Sequence, residues 1–114
     1  MEVTIYHNPR CRKSREALSF LEEKSCNIIV VEYLKFFLST EELISLINDL
    51  NIQPIDLVRK NESIWKDKFK GKNLSDTAII EAMVQNPKLI ERPIIKSKKG
   101  TVVGRPLERV QEVI

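Results

Sequence analysis

The chain has 114 residues, 42% of them hydrophobic and 31% charged, with a net charge of +3. That is the length and mix of one domain, residues 1–114, with its own core, and the charge is too slight to imply a nucleic-acid partner. Two cysteines are too few for a secreted disulfide framework, two Cys and one His fall short of a structural zinc site, and no apolar run approaches the ~20 residues of a membrane helix.

Val3 to Tyr6 reads as a short strand, and from Lys13 to Lys24 the apolar Ala17, Leu18, Phe20 and Leu21 fall at helical spacing. Asn27 punctuates, and the β-branched run Ile28 to Val31 suits a buried strand. The simplest β-α-β is a right-handed crossover between parallel strands. Ser39-Thr40-Glu41-Glu42 has capping-box spacing ahead of a stripe of Leu43, Ile44, Leu46, Ile47 and Leu50. Pro54 opens a short helix to Val58, residues 60 to 73 read as an irregular exposed connection, and Asn73 or Ser75 caps a helix that buries Ile79, Ile80, Met83 and Val84 and stops at Pro87. Two apolar runs, 93–96 and 101–104, flank Lys98-Lys99-Gly100 as a hairpin, and Pro106 opens a last helix with Leu107, Val110 and Val113. The order is β-α-β, an all-helical insert at about 37–87, then β-β-α.

Chemistry concentrates at His7-Asn8-Pro9-Arg10-Cys11-Arg12-Lys13-Ser14-Arg15. Free thiols are mostly protonated at neutral pH, and a helix N-terminus or nearby cations favour the nucleophilic thiolate. The Cys11 segment supplies both, and the free N–H groups of a helix start also cradle an anion. Position 14 is Ser, not the second Cys of a C-x-x-C dithiol, so a reactive Cys11 needs a reductant from elsewhere. His7 either takes part in catalysis or shapes the loop. Asn8 orients the turn, and Ser14 bonds the sulfur, satisfies the first helical turn, or does both. Cys26, about twenty ångströms of helix rise away, reads as structural. Arg59, Arg92 and Arg105 carry guanidinium forks suited to a tetrahedral oxyanion, the latter two beside prolines, although spacing alone leaves each a surface charge.

The segments His7 to Cys11 with Ser14-Arg15, Leu57 to Asn61, Ile90 to Ile94 and Gly104-Arg105-Pro106, in that order, resemble the glutaredoxin-dependent arsenate reductase family. The resemblance runs from Val3 to about Arg109. It implies an α/β thioredoxin-like (glutaredoxin-like) fold with a mixed sheet of about four strands and a cis peptide before Pro93. It also implies a Cys11 nucleophile and oxyanion binding by Arg59, Arg92 and Arg105. From the reading of the loop, His7 is expected at the catalytic centre and Asn8 and Ser14 beside the substrate; the resemblance further implies glutathione as co-substrate and glutaredoxin as partner. No bound cofactor or metal is expected. Arg12 and Lys13 depart from the pattern, standing where the best-known reductases have Gly and Thr.

Two other readings share the fold. A regulator resembling the Spx family binds RNA polymerase, but such proteins typically carry C-x-x-C where this chain has Ser14. A glutaredoxin-like thiol-disulfide reductase is the other. A low-molecular-weight phosphatase loop, C-x5-R, is absent because position 17 is Ala17. With no signal peptide ahead of Met1-Glu2-Val3 and reduced thiols, a cytoplasmic monomer is expected, with no membrane or nucleic-acid partner.

Overall fold

The computed structural model describes residues 1–114, which divide into two compact units: Met1–Phe36 with Arg92–Ile114, and Phe37–Glu91. The first unit is built on β1 (Glu2–Tyr6), whose alternate residues Val3 and Ile5 are fully buried. β1 pairs in parallel with β2 (Asn27–Val31), and antiparallel with β3 (Ile94–Ser97), which continues through a tight turn into β4 (Gly100–Val103). The sheet order is β2-β1-β3-β4, a mixed α/β sheet of the kind expected.

Between β1 and β2 runs α1 (Arg12–Glu23), which buries Ser14, Ala17 and Leu21 along one stripe and ends where Ser25 turns left-handed. Ala17 and Leu21 join Val3, Ile5, Ile95, Val102, Val110 and Val113 in one apolar core. The final segment, Leu107–Val113, is a 3-10 helix, and its end is tied to the hairpin. Ser97 Oγ donates to the Val113 carbonyl, and Lys99 Nζ donates to that of Ile114 at 2.9 Å.

The second unit is all helical. α2 (Thr40–Leu50) has the Ser39/Glu42 capping box and ends on the left-handed Asn51. Pro54–Leu57 is a 3-10 turn, α3 spans Ser63–Lys68, α4 (Asp76–Gln85) is capped by Ser75, and Pro87–Leu89 is another 3-10 turn. An antiparallel bridge joins Val58 to Ile90, with Arg59 N–H donating to the Leu89 carbonyl and Glu91 N–H to that of Leu57.

Four expectations change. Residues 60 to 73 are not wholly irregular: α3 forms because Trp65 is buried and stacks on Phe69, one turn away. β2 is an edge strand, so Ile29 and Val30 are about 45% exposed rather than buried on both faces. Ile44 turns outward from the α2 stripe, and Ala82 joins Ile79 and Met83 as the buried face of α4.

Candidate active site

Cys11 is the N-cap of α1, with extended backbone angles and no capping bond from its side chain. The first-turn N–H groups, which have no partner within the helix, therefore remain at the sulfur's end of α1. The loop leading there is held by its own bonds. Cys11 N–H donates to the Asn8 carbonyl at 3.0 Å, and Asn8 Oδ1 accepts from Arg10 N–H at 3.0 Å. Asn8-Pro9 thus forms the turn its composition suggests.

Behind the loop, Ser14 is fully buried and Ser14 Oγ is 2.6 Å from His7 Nδ1 while accepting from Asn8 N–H at 3.0 Å. The hydroxyl is therefore spent on the strand end and the loop, not on the sulfur. His7 is 5% exposed, and its pKa lies below the ordinary 6.5 because burial disfavours the cation. The Glu32 carboxylate opposes that shift and the Arg15 guanidinium adds to it. His7 is thus a neutral ring at neutral pH, and the positive charge beside the cysteine comes from elsewhere.

It comes from Arg105. Arg105 Nη2 is 3.2 Å from Cys11 Sγ, and Arg105 Nε donates to the Arg92 carbonyl at 2.7 Å. Two cis peptides, Arg92–Pro93 and Arg105–Pro106, accompany this arrangement; the first is the one implied by the family resemblance. Gly104 N–H donates to the Pro93 carbonyl at 2.8 Å, so the two Arg-Pro segments lie side by side. A Cβ on Gly104 would come within 2.8 Å of Ile95 Cδ1 and 3.2 Å of Pro93 Cγ, so any side chain there forces its neighbours to shift. Arg92 is half-buried, with its Nε and Nη1 shielded from solvent.

His7, Asn8, Cys11, Ser14, Arg92 and Arg105 are therefore gathered in the sheet-bearing unit. Arg59 belongs to the helical unit, where it pairs with Glu62 Oε1 at 3.0 Å and Glu91 Oε1 at 3.6 Å. Sequence reasoning did not single out those carboxylates, although the Arg59–Glu62 i,i+3 spacing was a usable signal. Cys26 is half-buried against the apolar core and forms no disulfide with Cys11. No cluster of three His, Cys, Asp or Glu side chains is placed to hold a metal ion, and no helix is long and apolar enough to cross a membrane.

A family model described as the ArsC family matches residues 6–113. Among similar proteins, YfgD of Escherichia coli K12, an uncharacterized protein, is 41% identical over 99% of this chain and 97% of its own length. An arsenate reductase of Neisseria meningitidis is 37% identical over 99% of this chain and 98% of its own. The solved structure of an arsenate reductase from Vibrio cholerae superposes with a TM-score of 0.95 at 41% identity, covering 100% of this chain and 98% of that one.

Proposed function

The chain belongs to the ArsC family, and from that premise we propose that it is an arsenate reductase with Cys11 as its nucleophile. The observation that carries the reading is the 3.2 Å contact of the Arg105 guanidinium with Cys11 Sγ at the start of α1. One cation and a turn of free N–H groups stabilise a thiolate there, and the same groups suit the oxygens of a tetrahedral anion. Arsenate docks on the α1 N-terminus with Arg105 and Arg92. Asn8 and Ser14 hold the loop that shapes the anion's seat. His7, neutral, orients that loop through Ser14.

The thiolate attacks arsenic: an S–As bond forms, and hydroxide leaves and takes up a proton as water. Ser14 supplies no second thiol and its hydroxyl is already engaged, so the reductant comes from outside. The thiolate of glutathione attacks Cys11 sulfur; the S–S bond forms, the S–As bond breaks, and its electron pair stays on arsenic. Arsenic passes from As(V) to As(III) and leaves as arsenite. A glutaredoxin thiolate then attacks the glutathione sulfur of the mixed disulfide, returning the Cys11 thiolate. No bound metal or organic cofactor takes part in this scheme. The segment Phe37–Glu91 is, in this reading, a helical insertion in one thioredoxin-like domain of a monomeric cytoplasmic enzyme.

A coupled assay with arsenate, glutathione and glutaredoxin tests the scheme. Arsenite should accumulate with the complete mixture and fall to background when any one component is omitted, and phosphate should compete with arsenate. No arsenite from the complete mixture contradicts the reading.

A further inference from the structure

An open groove of about 340 Å³ runs along the outer face of α1 and is lined by Arg12, Arg15, Glu16, Ser19, Phe20, Glu23 and Leu107. Its volume falls at the small end of the roughly 300–1,000 Å³ usual for small-molecule sites. One end of the groove lies at the cysteine loop, where Arg15 reaches the Pro9 carbonyl. Arg12 follows Cys11 on one wall, and on the other Leu107 stands two residues after Arg105, whose guanidinium touches the Cys11 sulfur.

Most charges along the groove have partners: Glu16 pairs with both Arg12 and Lys13, and Lys24 Nζ lies 5.2 Å from the centre of the Phe20 ring. Arg12 is engaged by Glu16 at 3.2 Å, whereas Arg15 pairs with no carboxylate; its Nη1 donates to the Pro9 carbonyl at 3.0 Å. That bond leaves the rest of the Arg15 fork available and anchors it beside the cysteine loop, near enough for its charge to act on His7. Glu23 stands at the far end, about two helical turns beyond Arg15. Phe20 and Leu107 supply an apolar floor between the charged ends.

We infer that this groove binds the peptide portion of the reductant thiol, a small zwitterionic carboxylate-bearing thiol of the glutathione class, with Arg15 holding a carboxylate. The inference rests on the proposed reaction in that it names the seat of its second substrate. The γ-glutamyl ammonium lies toward Glu23, and the thiol points back to the cysteine loop. In the exchange step the incoming thiolate forms the S–S bond with Cys11 sulfur, and the group bonded to that sulfur departs with the electron pair.

The test needs no arsenate. Wild-type protein is exposed separately to oxidised glutathione and to the neutral hydroxyethyl disulfide, and the rate of mixed-disulfide formation at Cys11 is followed by peptide mass mapping. In each reaction the Cys11 thiolate attacks one sulfur and the other leaves as a thiolate. The ratio of the two rates, divided by the same ratio for the small thiol N-acetylcysteine, cancels both the intrinsic reactivity of Cys11 and the different leaving-group acidity of the two disulfides. Wild type should favour oxidised glutathione by about tenfold, the value of one charge-assisted hydrogen bond. Arg15→Gln and, independently, the groove-filling Ser19→Trp should both bring the ratio close to one. Ser19 is exposed on α1, so its replacement leaves the core intact. A wild-type ratio near one, or a preference that survives both substitutions, overturns the inference. Protein that keeps the preference yet makes no arsenite retains the groove and loses the arsenate reading; protein that makes arsenite with a ratio near one loses the groove alone. If Ser19→Trp spares the ratio and slows only glutaredoxin-dependent turnover, the groove belongs to a protein partner and the inference fails.

Discussion

Arg105 serves two neighbours with one side chain: Nη2 meets Cys11 Sγ and Nε is pinned to the Arg92 carbonyl. The pinning holds the guanidinium at the sulfur. Arg105→Ala should therefore slow alkylation of Cys11 by iodoacetamide at neutral pH by about tenfold, since it removes a charge-assisted bond to the thiolate. An unchanged alkylation rate would show that the contact does not influence the nucleophile. His7 makes a separate prediction. Its folded-state pKa is depressed below 6.5, so between the two values the unfolded chain binds more protons than the native one. Its contribution to stability is present above pH 6.5 and is lost as pH falls through the folded-state pKa. Urea unfolding from pH 8 to pH 5 should show wild type losing stability relative to His7→Gln below pH 6.5. A relative gain on acidification would contradict the burial argument.

Between the elements, the hairpin and the two Arg-Pro segments position the site. Gly104 permits their close approach, and Gly104→Ala forces a methyl against the buried Ile95 and against Pro93. Such overpacking should cost about 1–3 kcal/mol, read by denaturant titration. A neutral result would mean the hairpin shifts freely. Much of this level was legible in the sequence, for physical reasons. Val3 and Ile5 alternate, Ala17 and Leu21 keep helical spacing, and the runs flanking Lys98-Lys99-Gly100 announce a hairpin, so each local pattern agrees with the observed element. The capping box at Ser39 is equally local. α3 escaped because lysines and asparagines around Ser63–Lys68 hide a buried Trp65. The run Ile28 to Val31 fits an edge or a centre equally well, and only sheet order decides. The Arg105–Cys11 contact spans 94 residues. The sequence offered suitable residue types for it, while their meeting depends on β3 pairing beside β1, which periodicity does not encode.

At the scale of the whole molecule, a thioredoxin-like fold is put to oxyanion chemistry. A single sulfur sits at the end of a helix dipole, and the hydroxyl that replaces a resolving thiol is absorbed into the loop's support. A dithiol enzyme resolves its intermediate with its own second thiol; Ser14 leaves this loop without one. Cys26 does not supply it, since it packs against the core and is free. The most direct measurement is arsenite production by wild type, Cys11→Ser and Cys26→Ser in the presence of glutathione and glutaredoxin. The account predicts that Cys11→Ser falls to background while Cys26→Ser keeps most of the wild-type rate. Arsenite formed by Cys11→Ser at the wild-type rate, or lost only in Cys26→Ser, would contradict it.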